Sequence, residues 1–499
     1  MLLYIYGYII DFIIFQKING QLYKFRSAGY NGTINNNEII NYALVCKSWF
    51  KMTRLSLELS LTYLCFDFFK PLMANNINNS QFKIIKNPNF RLFHSYKDYY
   101  EFVNNNDDFN NSNNNNLKVL INIEGPIEDF NPYIDYPNIK FQDNVEFDFK
   151  INYGVKDVLN KINNLKINKI ALVGMLPANF LTHRKDRMDI VKKLLPKRVE
   201  YRESFSHTDY TNIFEMESLQ FIEIIGGDHV EPKTLARINN EKTKLETANI
   251  PIYFHDIIRA VNEVELPTTN IYTKKICRNL CQNIEFPSHI RNQVKNDFVM
   301  MINTLSENRT IKCLFLINIC YKGECNIDNL DYSFVTNSLK SLILNNRTIK
   351  DLGLHYFDFM DNNIISALKE TRTLRTLTIV PIKTKLLESI TTIIEQIVSH
   401  NKSIRDLNFF NLDWTEVEDL YKIVEIFKNN SKSIQLYSVV FLFRKYTADS
   451  SFAHFELFKD ISNKLFDLHL NIYEINIYSL FEGRKIQFQI LNNKIFIYK

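Results

Sequence analysis

Asn346-Arg-Thr-Ile-Lys-Asp-Leu-Gly-Leu354 decides the fold, because the chain writes it more than once. Versions stand at Asn308-Arg-Thr-Ile-Lys-Cys-Leu-Phe-Leu316, Thr371-Arg-Thr-Leu-Arg-Thr-Leu-Thr-Ile379 and Asn401-Lys-Ser-Ile-Arg-Asp-Leu-Asn-Phe409, with a shorter one at Ser431-Lys-Ser-Ile-Gln-Leu436. Counted between the central Ile or Leu residues, the steps are 38 residues from 311 to 349, then 25, 30 and 30. The first unit therefore carries an insertion. Self-similarity at such a period marks an array of stacked supersecondary units.

Each copy follows an amphipathic helix. Phe298, Met301, Ile302 and Leu305 form one apolar stripe, Leu387, Ile390, Ile394 and Ile397 another, and Val417, Leu420, Val424 and Phe427 a third. Spacings of three and four residues put each set on one helix face. One short strand and one helix cannot bury their own apolar faces, so the unit stacks on copies of itself. In Ile-x-x-Leu-x-Leu the Leu residues point into the core. The Asn–basic–Ser/Thr opening supplies side chains that bond local backbone at the helix-to-strand turn. The same triplets spell glycosylation sequons at Asn308, Asn346 and Asn401, but recurrence at one point of the repeat favours the turn role.

This pattern resembles the leucine-rich repeats of the ribonuclease-inhibitor type, clearly over residues 297–441 and more faintly over 152–254. The resemblance implies an α/β solenoid, alternating helix and parallel strand, that binds a protein on the concave sheet face. By alternation the outward strand positions are Asp351, His355, Thr376, Thr378, Asp406, Asn408 and Phe410. Upstream, strand-like runs at Leu117–Ile123, Val145–Ile151, Lys169–Val173, Ser218–Ile225 and Ile250–Phe254 extend the α/β pattern back to residue 117.

Nearer the N-terminus, Ala43-Leu-Val-Cys-Lys-Ser-Trp-Phe50 resembles the second half of an F-box, with an apolar helix at Leu2–Ile14 in the place of the first. That resemblance implies docking of a Skp-type adaptor of cullin–RING ubiquitin ligases through Ile9, Ile10, Leu44, Val45, Cys46 and Trp49. A small helical segment has too little volume to close a large core alone, so a covering partner would stabilise it.

The expected organisation is an F-box-like helical segment over 1–75, an Asn-rich linker or insertion over 76–116, the solenoid over 117–445, and a C-terminal helix with a β-hairpin cap over 446–499. The linker contains the low-complexity run Asn104–Asn116, and Asn492-Asn493 marks the hairpin turn. A chain of 499 residues exceeds one hydrophobic core, which fits an elongated repeat. The net charge of +5 is too weak to argue for nucleic acid or membrane. Met1–Phe15 is apolar but holds Asp11, has no basic n-region and is too short to span a bilayer.

No phosphate loop, nucleophile elbow, kinase motif set or zinc-protease helix is visible. Cys277 and Cys281 lack a second pair at finger spacing, so the seven cysteines read as reduced thiols of a cytoplasmic or nuclear protein, with no metal or cofactor expected. The first expectation is thus a non-enzymatic receptor, the substrate-recognition subunit of a Skp–cullin–F-box ligase, with adaptor and protein substrate as partners. A leucine-rich-repeat scaffold with no link to ubiquitin is the alternative. A third reading makes residues 117–290 a separate α/β enzyme domain, which a pocket of converging polar groups at strand C-terminal ends would support.

Overall fold

The computed structural model describes residues 90–93, 118–123, 145–151, 166–173 and 191–202, and, with short interruptions, 213–262, 288–318, 330–381, 387–413, 420–444 and 451–498. The F-box-like segment, with Ile9, Ile10, Leu44, Val45, Cys46 and Trp49, lies outside the described residues, as does the Asn104–Asn116 run. The chain divides into two compact units, Met1–Val173 and Gly174–Lys499.

In the first unit, strands β1 (Phe90–Phe93), β2 (Lys118–Ile123), β3 (Val145–Ile151) and β4 (Ile167–Val173) pair in chain order, all parallel. Phe147 and Phe149 are buried on the same face of β3, their rings stacked with centroids 5.8 Å apart.

In the second unit nine strands follow one another in parallel: β5 (Arg198–Arg202), β6 (Phe221–Ile224), β7 (Thr247–Ile252), β8 (Cys313–Asn318), β9 (Asp351–His355), β10 (Thr376–Val380), β11 (Asp406–Asp413), β12 (Ser438–Arg444) and β13 (Glu474–Phe481). β14 (Arg484–Leu491) and β15 (Lys494–Tyr498) then close the sheet antiparallel, with Leu491 opposite Lys494. β14 and β15 are thus antiparallel neighbours in sequence, and the parallel array continues through β13 before them. Helices stand between the strands: α1 (Phe254–Val261), α2 (Ser288–Glu307), α3 (Ser333–Asn345), α4 (Asn362–Glu370), α5 (Leu387–His400), α6 (Leu420–Asn429) and α7 (Ser451–Asp467). From α2 to α7 each helix packs on the next, so the unit is a solenoid-like α/β repeat.

Its core is three rows of side chains running across the strands. The turn row is Ile311, Ile349, Leu374 and Ile404. The next is Ala248, Leu314, Leu352, Leu377, Leu407, Val439 and Ile475, and the third is Ile250, Leu316, Leu354, Ile379, Phe409, Phe441 and Ile477, all buried. Strand neighbours sit about 4.8 Å apart, so a residue type repeated in register becomes a continuous apolar seam. Phe409 and Phe441 stack within it, centroids 5.7 Å apart at 15°.

The turns that feed these strands show why Asn recurs. A helix leaves its last carbonyls without intrahelical donors. Asn346 accepts from the backbone N–H of Thr348 (2.7 Å) and Ile349 (2.8 Å), holding its own turn. Its Nδ2 donates to the Leu305 carbonyl in the last turn of α2 (2.7 Å) and to the Asn308 carbonyl (3.1 Å) of the preceding unit. Asn401 repeats the arrangement, accepting from Ser403 and Ile404 at 2.7 and 2.8 Å and donating to the Leu368 and Thr371 carbonyls at 2.8 Å each. Asn308 accepts likewise from Thr310 and Ile311. Asn308, Asn346 and Asn401 are buried, so the turn role holds and the sequon role is closed to the folded chain. Two ladder positions lack the asparagine, Thr371 and Ser431. The buried Oγ1 of Thr371 has no hydrogen-bond partner, and Thr373 Oγ1 reaches the Asn346 carbonyl of the preceding turn at 3.3 Å. At that junction the helices are also tied at their other ends. Asp361 caps α4 by accepting from the Asn363 and Ile364 N–H groups, and Thr336 of α3 donates to its Oδ2 at 2.6 Å.

Candidate partner-binding face

Register decides which side chains leave the core together. With Leu352, Leu377 and Leu407 turned inward, the alternating residues emerge on the sheet face opposite the helices. Asp351, Thr376 and Asp406 are directly paired across β9, β10 and β11, and Thr378 and Asn408 form the next row. His355 stands one row further, opposite Val380. Six of the seven expected positions therefore form an ordered patch. Phe410 is the exception: it sits where the register between β11 and β12 shifts between Phe409 and Leu412, half-buried and outside the regular ladder.

The patch continues onto strands whose outward residues were not assigned from sequence. Thr247 and Cys313 extend the first row, and Asn249, Phe315 and Gly353 extend the second. On β6, Glu223 accepts from Asn249 Nδ2 at 3.1 Å, while Arg198 of β5 lies over the Phe221 ring at 4.4 Å. No repeat spacing flags β5 to β7, since their turns lack the Asn–basic–Thr signature that precedes β8 and β9. In sequence alone an apolar residue on a half-buried strand, such as Phe315, reads as core.

The middle of the face is built around that ring. A Cβ on Gly353 would meet Phe315 Cδ1 at 2.1 Å, so the glycine makes room for the ring to lie across the neighbouring strand. The far edge of Phe315 meets His355, centroids 5.5 Å apart at 70°. Burial pushes the His355 imidazole down to about 4, and its Nε2 is buried without a hydrogen-bond partner. Cys313 Sγ donates to Asp351 Oδ2 at 2.9 Å. Burial first, then the hydrogen bond and charge of Asp351, pushes this thiol up to about 12. Both groups are thus neutral at pH 7. In chemical terms the face offers an aromatic platform, carboxylates, the Thr376 hydroxyl and the Asn408 amide, whose Nδ2 donates to buried Thr378 Oγ1 at 3.2 Å.

Among the described residues, no helix is long and apolar enough to cross a membrane, and no group of three or more His, Cys, Asp or Glu side chains could hold a metal ion. No protein-family model matches the chain, and no curated protein matches it.

Proposed function

We propose that the chain is a protein-binding receptor that holds a substrate protein on the helix-free face, and that its F-box-like segment presents that substrate to a Skp-type adaptor of a cullin–RING ubiquitin ligase. The observation that carries the receptor half is the in-register patch of Asp351, Thr376, Thr378, Asp406 and Asn408 around the Phe315–His355 platform. A surface of stacked, regularly spaced strands is rigid, so few side chains need ordering when a partner docks. Its mixture of aromatic and polar groups is the composition of a protein-contact surface. The ligase half rests on the Leu44-Val45-Cys46-Lys47-Ser48-Trp49 string. On this reading the protein acts by proximity, as a tether with no catalytic side chain of its own.

The test is co-purification of the intact chain, a chain lacking residues 1–75, Trp49→Ala, and Thr376→Arg combined with Asn408→Arg, each checked for folding by circular dichroism. Adaptor should be captured by the intact chain and by the face variant, and lost from the other two. Substrate protein should be lost from the face variant alone. Adaptor absent from every sample sinks the ligase half and leaves a repeat scaffold. Substrate retained by the face variant sinks the receptor half.

A further inference from the structure

We propose that the turns entering β8 to β12 form a basic rim that binds an extended, Asp/Glu-rich segment of polypeptide laid across the strands. The residues that carry it belong neither to the helix-free face nor to the F-box-like string.

The five turns, 308–312, 346–350, 371–375, 401–405 and 431–437, contain nine basic residues and no acidic one: Arg309, Lys312, Arg347, Lys350, Arg372, Arg375, Lys402, Arg405 and Lys432. Folding converts this repeated pattern into two columns. Just before each strand, the backbone N–H of Lys350 bonds the carbonyl of Lys312, Arg375 that of Lys350, Arg405 that of Arg375, and Tyr437 that of Arg405, at 2.6–2.7 Å. Four basic residues thus occupy four consecutive rungs. Arg309, Arg347, Arg372, Lys402 and Lys432 form the second column, each following the residue at the ladder position. All nine are exposed except half-buried Lys350.

These charges are mostly unspent. Lys312 pairs with Glu246 at 2.7 Å and Arg405 donates to the Gln435 carbonyl. Among the described residues, Arg309, Arg347, Lys350, Arg372, Arg375, Lys402 and Lys432 have no ion-pair partner. Rungs about 4.8 Å apart lie within the screening length of about 8 Å at physiological salt, so neighbouring charges act on an anion together. Like charges held this close repel one another, and an anion across them relieves that cost.

The geometry selects the kind of anion. Glu307 and Glu370 end helices on one side of the rim, and Asp351 and Asp406 begin strands on the other. The attractive strip is therefore one chain wide, and a nucleic-acid duplex would set its second phosphate row against carboxylates. Tyr437 is the sole aromatic side chain in the five turns, so the rim lacks the stacking platforms on which single-stranded bases are held. An extended peptide needs neither, and the guanidinium forks of Arg309, Arg347, Arg372, Arg375 and Arg405 suit carboxylates.

The experiment is fluorescence anisotropy of a labelled peptide alternating Glu and Ser, titrated with the full chain at low and physiological salt. Saturable binding that weakens with salt is expected. Arg347→Glu, Lys350→Glu, Arg372→Glu and Arg375→Glu together should weaken it by about tenfold or more. A control with Lys295→Glu, Lys340→Glu, Lys369→Glu and Lys428→Glu on the helices should stay within about threefold. If the reversed variant loses its fold by circular dichroism, Arg347→Gln with Arg372→Gln decides, with a loss of about threefold expected. No binding by the unaltered chain, equal losses in rim and control variants, or tighter binding of a single-stranded oligonucleotide of equal charge each overturns the proposal.

Discussion

Asn401→Ala is the sharpest probe of what holds the repeats together. The substitution removes four short bonds: two accepted from the Ser403 and Ile404 N–H groups and two donated to the Leu368 and Thr371 carbonyls. Three of those backbone partners are in buried bonds, where water cannot replace the amide without opening the turn. An unsatisfied buried backbone group costs about 1–3 kcal/mol, so the loss should be about 3–5 kcal/mol after local relaxation. Few apolar atoms leave the core, so almost none of this comes from burial. Urea denaturation followed by far-ultraviolet circular dichroism gives the midpoint and slope, and the slope should not change. Hydrogen exchange should localise the effect, with the Ser403 and Ile404 amides losing protection first. A destabilisation below about 1 kcal/mol would refute the reasoning, because it would mean that water serves those groups as well as Asn401 does.

Three other outcomes follow from the same geometry. Thr371→Asn should fill the gap in the ladder, bonding the turn beneath it and the preceding unit's carbonyls, and raise stability by about 1–2 kcal/mol in denaturation; no gain would show that the position differs from its neighbours. Gly353→Ala should cost about 1–3 kcal/mol through its clash with Phe315, and most of that cost should vanish in a Phe315→Ala background; additive losses would contradict the contact. With the folded His355 near 4 and its ordinary value at 6.5, the unfolded chain takes up the proton first as pH falls. Its share of stability is then full above about pH 6.5 and is lost toward pH 4, and its ring protons should titrate near 4 by nuclear magnetic resonance, a midpoint near 6.5 counting against burial.

Much of this architecture was legible because it rests on repetition. Ile-x-x-Leu-x-Leu marked the three core rows, and the described members of the helical stripes, among them Met301, Ile394 and Phe427, are buried as their spacing required, Leu387 and Val417 lying outside the residues whose burial is described. Val145–Ile151 is the strand its alternation indicated, whereas the strand expected at Ile250–Phe254 begins at Thr247, where a Pro inside the apolar run obscured the start. The outward row Asp351–Thr376–Asp406 followed from alternation alone. Phe410 did not, since a register shift cannot be read from one strand. Half the role of Asn was visible, because holding its own turn is local. The other half, reaching Leu305 or Leu368 in the previous unit, needs two turns to be stacked in space. The same limit hid the basic rim: one or two basic residues per turn are unremarkable until hydrogen bonds from Lys312 to Arg405 set the turns in line.

The Thr371 position also makes the joints between repeats unequal. Between α3 and α4 the Thr336–Asp361 bond pins the helix N-terminal ends, while the turn end keeps Thr373 Oγ1 on the Asn346 carbonyl and the Arg375 N–H on the Lys350 carbonyl but lacks the amide bridge that Asn346 and Asn401 supply. The turns on either side of this joint carry Arg347 and Arg372. A ligand held by both arginines would act there as an external staple, doing from outside what a missing asparagine does not do within.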